Sequence, residues 1–189
     1  MSLTARWWER ASRHLVGRLG AFGATGALVF ASCGPTPTQC SPAPAPVGPT
    51  VGVTLQAKPV QGPCHYTDTW GAARDNGRVH LGTDISASEG NEVYAVVSGE
   101  ISQIYTDAPG SLAGNGMRIR MADGTWFFYA HLSALTPGLA VGTAVTAGQV
   151  VGSVGHTGNA GIPHLHLEVH PGGGEAVNSF SMIQAIGAC

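Results

Sequence analysis

Charge is scarce in this sequence: only 11% of its 189 residues are Asp, Glu, Lys or Arg, and Lys58 is the only lysine. No basic patch of the kind a phosphate backbone requires can be assembled from so few cations, which argues against nucleic-acid binding. Long apolar runs are also missing. The most apolar stretch, "LGAFGATGALVFAS" at 19–32, has 14 residues, fewer than the roughly 20 needed to cross a bilayer as a helix. The four cysteines, Cys33, Cys40, Cys64 and Cys189, stand at the margins of the chain. A cysteine-rich structural zinc site is therefore not expected.

What is present points to export. Arg6, Arg10, Arg13 and Arg18 precede the apolar run, and the run ends in small residues; this is the order of a signal peptide. Gly20, Gly23 and Gly26 make a buried core helix a poor alternative for the same segment. Cys33 follows "VFAS" directly and resembles the lipid-accepting cysteine of a bacterial lipobox, with Phe30 where that motif prefers Leu. Residues 1–32 are thus a signal peptide or a lipoprotein signal. Either the protein is anchored through lipidated Cys33, or it is secreted with Cys33 and Cys40 bridged; both place it in an oxidising compartment. Residues 33–54 form a linker, in which Pro35, Pro37, Pro42, Pro44, Pro46 and Pro49 are half of the 12 prolines. That composition favours an extended, semi-rigid spacer.

The domain proper is expected over 55–189. The full chain has 28 glycines, and together with frequent Val, Thr and Ala the domain reads as short strands joined by tight turns. Strands are expected at 92–105, 116–122, 125–132, 149–155 and 164–170, with a hairpin turn at "ADGT" and a short helix in "SFSMIQAIG". "GNEVYA" from Gly90 and "GTAVTA" from Gly142 share Gly-x-x-Val-x-Ala at an offset of 52, a faint sign of two copies of one β unit. A Cys64–Cys189 bridge would close nearly the whole domain.

Eight histidines is a high number for this length, and most fall in "HLGTD", "YAHLS" and "GHTGNAGIPHLHLEVH". In "PHLHLEVH" a strand would put Leu165, Leu167 and Val169 on a core face and His164, His166, Glu168 and His170 on the other. Alternate positions lie about 6.6–7 Å apart, which suits one imidazole binding a metal while the other serves a reacting water. His80 and Asp84 are four apart, with Gly82 and Thr83 against a helix, so a glycine-eased bend is expected to bring them together. His80, Asp84 and His166 supply three protein ligands, which suit Zn²⁺ and leave one position open, the arrangement of a catalytic site. His131 and His164 are left for proton transfer or oxyanion stabilisation. Glu168 either orients a ligand or is a surface group. His156 reads as a loop residue, His65 and His170 as surface groups. Of Trp126 and Tyr129, Tyr129 is the candidate to approach the site if it is not in the core.

In this order, the His-x-x-x-Asp pair, the Tyr-Ala-His-Leu-Ser segment and the C-terminal His-Leu-His resemble the lysostaphin/LytM-type zinc metallopeptidases, over roughly 69–169. The resemblance implies a mainly β domain of the duplicated hybrid motif type: an antiparallel, sandwich-like sheet with a groove holding the metal. It implies zinc on His80, Asp84 and His166, catalytic histidines at 131 and 164, and cleavage of the cross-linking peptides of bacterial peptidoglycan. Two rivals follow: a catalytically silent wall-binding or hydrolase-activating module of the same fold, and a carboxypeptidase acting on D-Ala termini. The latter enzymes space their first His and Asp more widely.

Overall fold

The computed structural model describes residues 52–189. The leader, Cys33, Cys40 and nearly all of the linker lie outside the described residues. Among the described residues nine strands form an antiparallel network: β1 (Cys64–Tyr66), β2 (Thr83–Ala87), β3 (Glu92–Tyr94), β4 (Gly99–Tyr105), β5 (Asn115–Arg120), β6 (Trp126–Leu135), β7 (Ala144–Val145), β8 (Val150–Val154) and β9 (His164–His170). The main path runs β1-β2-β9-β6-β5-β4-β7, with β8 joining β3 to β6. An α-helix, α1 (Phe180–Ala185), sits where the short helix was expected and buries Ile183. No helix among the described residues is long and apolar enough to cross a membrane.

Strand alternation divides the main sheet into two faces. Register places Ile85, Leu165, Leu167, Val169, Phe127, Tyr129, Met117, Ile119 and Ile101 together on one of them, all fully buried. Each such side chain contributes about 1.5–3 kcal/mol by leaving water. Tyr129 belongs to this core: its hydroxyl accepts a hydrogen bond from the Val96 N–H at 2.8 Å, and burial pushes its own ionisation upward. Phe128, on the opposite face, is the aromatic residue that approaches the site: its ring centroid is 6.1 Å from that of His166, while Trp126 on the same face stacks on His170.

The expected strand at 92–105 is two strands. Its apolar run is continuous because Ala95, Val96 and Val97, between β3 and β4, are buried as well. The chain changes partner across them, β3 pairing with β8 and β4 with β5 and β7. Here the Gly90/Gly142 echo acquires a structural meaning. Both glycines have positive φ (86° and 90°), a conformation that suits glycine, and each opens a short strand. The strand after Gly90 pairs with β8, the longer strand following Gly142; the strand after Gly142 pairs with β4, the longer strand following Gly90. Such reciprocal pairing is what a duplicated unit would make.

A disulfide joins Cys64 in β1 to Cys189, across 125 residues. It ties the edge of the sheet to the segment after α1.

Candidate metal centre and groove

The face opposite the core carries the chemistry. Asp84 on β2 lies directly across from His166 on β9, Ser86 across from His164, and Ala130 on β6 across from His166. His80 enters from the turn before β2. The chain bends at Gly82, as expected, without a positive φ, and enters β2 so that Asp84 is an ordinary strand residue. Gly82 is needed for room. A Cβ there would lie 2.6 Å from the Leu167 carbonyl oxygen and 2.8–2.9 Å from the His166 ring.

His80 Nε2 is 3.0 Å from Asp84 Oδ1 and 3.0 Å from His166 Nδ1, and His166 Nδ1 is 2.8 Å from Asp84 Oδ1. Each atom has its orientation fixed from behind. The other His80 nitrogen, Nδ1, bonds the Thr69 carbonyl oxygen at 3.0 Å, and His166 Nε2 bonds Glu168 Oε1 at 3.0 Å. Arg74 bonds Asp84 Oδ2 at 2.7 Å. With the ring protons on these outer bonds, a tautomer assigned from the network, two imidazole lone pairs and a carboxylate oxygen converge on one point. Tetrahedral ligands with bonds of about 2.0–2.1 Å stand about 3.3 Å apart. A small outward relaxation of this triangle would therefore admit zinc, and the two-nitrogen, one-oxygen donor set suits it.

The electrostatics agree. Burial alone would raise the Asp84 carboxyl, but its close contacts with the His166 and His80 rings hold it well below the usual carboxylate range. Burial pulls His166 down, yet its bonds to Asp84 and Glu168 leave it raised overall. Glu168, pushed up by burial, is brought to about 2 by His166 and His170. Two ionised carboxylates thus face the imidazoles, a field that favours a cation.

His131 and His164 stand beside this cluster, their ring centroids 4.7 Å apart, with His164 Nε2 3.7 Å from Asp84 Oδ1. Their Nδ1 atoms bond the Thr157 and Ile162 carbonyl oxygens, both at 2.8 Å, which leaves Nε2 of each for the groove. Burial lowers His131 to about 4, only partly offset by the Thr157 bond, so it is neutral at pH 7. Its position has a backbone origin. Residues Trp126–Ala130 of β6 pair with β9 and Leu132–Leu135 with β8; His131 lies at the switch, with φ of +65°. A left-handed non-glycine residue costs free energy and marks sites where a side chain has been re-aimed.

The groove above these atoms has a volume of about 830 Å³. Val79, Leu81, Leu112 and Ile162 are exposed large apolar side chains, and all four line it.

Other sequence expectations separate here. Glu168 holds His166, as one alternative had it. His156 is a surface residue, 3.2 Å from Glu89, and His65 is exposed. His170 is no surface group: it is buried, bonds Glu168 Oε2 at 2.8 Å and the Gly174 carbonyl oxygen at 2.9 Å, and stacks on Trp126. Thr69, Arg74 and Thr157 were not anticipated. They act on the histidines and Asp84 from loops or through backbone carbonyls, where no periodicity marks them.

The family model for peptidase family M23 matches residues 78–179, a span holding all five groups from His80 to His166. The chain belongs to peptidase family M23. This M23 chain is 35% identical over 131 residues to an L-Ala–D-Glu endopeptidase of Bacillus subtilis, covering 65% of this chain and 39% of that protein. It spans well under half the length of the curated relatives it matches. Among solved structures, the catalytic domain of the antimicrobial peptidase lysostaphin from Staphylococcus simulans superposes with a TM-score of 0.55 at 28% identity, covering 64% of this chain and 92% of that one. A zinc-containing peptidase from Vibrio cholerae superposes with a TM-score of 0.56 at 27% identity, covering 66% and 39%. The M23 fold expected from the three motifs is therefore the fold observed.

Proposed function

We propose that this M23 chain is an exported zinc-dependent endopeptidase that hydrolyses peptide bonds in the cross-linking peptides of bacterial peptidoglycan. The observation that supports it most is the convergence of His80 Nε2, Asp84 Oδ1 and His166 Nδ1 beneath an open groove, with two further histidines alongside. The relatives named above are peptidases, one for an L-Ala–D-Glu bond, which fits a wall-peptide substrate.

His80, Asp84 and His166 would hold the zinc. When bound, zinc supplies Lewis-acid polarisation of the water and of the scissile carbonyl. The chain's own groups move the proton. In their neutral form both His131 and His164 present an Nε2 lone pair, so either accepts a proton from the attacking water. His164, whose Nε2 lies 3.7 Å from Asp84 Oδ1, is assigned as the base. Its new Nε2–H then passes to the leaving amine nitrogen, so the peptide bond is replaced by a carboxylate and an amine. His131, neutral and held by Thr157, orients the water or carbonyl from the other side. Exposed aliphatic walls displace water from the peptide as it docks, which strengthens these polar contacts.

A silent wall-binding module would need none of these five groups, and all five are present. Digestion of purified walls by the full chain, with and without chelator and read by mass spectrometry, tests the reading. Internal cross-links should be cut and chelator should stop it. Release of single terminal residues would favour a carboxypeptidase, and intact walls would favour the silent module. The proposed location is outside the cytoplasmic membrane, either free, wall-associated or held through lipidated Cys33.

A further inference from the structure

The face that carries the metal ligands continues beyond them. Register sets Glu168 across from Phe128, Phe128 across from Arg118, and Arg118 across from Gln103; the neighbouring row is His170, Trp126, Arg120. Arg118 and Arg120 are thus side by side on β5, on the same open face as His166. Arg118 lies over the Trp126 ring, with Cζ 4.1 Å from its centroid, and the indole stacks on His170 with centroids 3.4 Å apart. The guanidinium is held in place by stacking, yet neither arginine has an ion-pair partner among the described residues. Glu100, across from Arg120, forms no ion pair with it. The Arg118 Nε is buried with no hydrogen-bond partner, and an unpaired buried donor is costly to keep. Both arginines line a separate hollow of about 320 Å³ with Ser102, Gln103 and Trp126.

Resting on the endopeptidase reading, we infer that Arg118 and Arg120 form a carboxylate-binding subsite, which makes the substrate an acidic wall peptide and not a neutral oligoglycine bridge. A preorganised, stacked guanidinium matches a carboxylate in both charge and planar shape. The reach fits. Arg118 is two strands from His166 and one residue pair along, roughly 12 Å between backbones at about 4.8 Å per strand and 3.4 Å per residue. An extended peptide covers that in three to four residues at about 3.3–3.6 Å each. The groove walls point the same way: glycine has no side chain to set against Val79, Leu81, Leu112 and Ile162, whereas alanyl methyls would be buried there.

The test uses two synthetic cross-linked peptides that differ only in one carboxylate, free or amidated, three or four residues from the scissile bond. With the zinc-loaded full chain, amidation should raise KM about tenfold or more, the worth of a charge-assisted bond, and leave kcat unchanged. Arg118→Gln or the more exposed Arg120→Gln should abolish the preference by weakening only the acidic peptide. Equal KM for both peptides in the unmutated chain overturns the inference. Binding to the zinc-loaded His164→Ala chain, measured by calorimetry, separates the two readings. Tighter binding of the acidic peptide without any cleavage by the unmutated chain would keep the subsite and remove the endopeptidase. Equal binding removes the subsite whatever the cleavage.

Discussion

Replacing Gly82 by Ala isolates the link between packing and the metal centre. Gly82 has no positive φ, so an added methyl brings no backbone strain of its own. It would lie 2.6 Å from the Leu167 carbonyl oxygen and 2.8–2.9 Å from Cε1 and Nε2 of His166. The first contact is backbone of β9, which cannot swing away as a side chain tip would; either β9 shifts or the His166 ring turns. Overpacking of this kind costs about 1–3 kcal/mol. His166 Nε2 is also the atom bonded to Glu168, so a turned ring loses its support and mis-aims Nδ1. Even about 1.4–2 kcal/mol expressed at the metal site is a ten- to thirtyfold loss of zinc affinity. Competition against a chromophoric chelator measures it, with Gly161→Ala as control because a Cβ there meets nothing within 4 Å. If Gly82→Ala binds zinc as tightly as the control, the close approach of β2 to β9 is not what sets the ligand geometry.

Glu168→Gln should weaken zinc about 10- to 100-fold, as loss of a carboxylate behind a ligand imidazole does, seen in the same chelator titration. His164→Ala and His131→Ala should retain zinc while wall hydrolysis drops by about 10²–10⁴; loss of zinc in either would make that residue a ligand. Acidification should destabilise the protein in two windows. His131 is lowered from 6.5 to about 4, so its contribution is full above pH 6.5 and is lost as pH falls toward 4. Glu168 is lowered from 4.5 to about 2, so its contribution is lost between those values. In metal-free protein His166, being raised, acts in the opposite sense, its contribution present at low pH and lost as pH rises through its folded value. Urea midpoints against pH should therefore flatten between 6.5 and 4.5, above the Glu168 window, in His131→Asn; an unchanged slope there would assign it to other groups. Reduction of the Cys64–Cys189 bridge, which closes 125 residues, should lower stability by about 5 kcal/mol in the chain-entropy model; an unchanged denaturation midpoint would contradict that.

Much of the site could be read from the sequence because its side chains fall on regular strands. In "PHLHLEVH" the alternation of β9 separates core from site without any knowledge of the fold, and the three motifs name the five groups that meet. Strand β2 was harder. It has five residues, with only Asp84 and Ser86 facing outward opposite β9, so its alternation is too brief to stand out; the bend at Gly82 brings in His80, and cross-strand pairing sets Asp84 beside His166. The break between β3 and β4 was hidden because buried residues fill the gap between them. His170 looked like the exposed end of a strand, yet Trp126, 44 positions earlier, covers it. The left-handed backbone at His131 has no sequence signal either, since histidine does not advertise a positive φ as glycine does.

Anomalous diffraction from crystals of the full chain at the zinc absorption edge tests the central claim most directly. One strong peak per chain is expected, about 2.0–2.2 Å from each of His80 Nε2, Asp84 Oδ1 and His166 Nδ1. A chain that cuts wall peptides with no ion there, or with its ion on other residues, would contradict it.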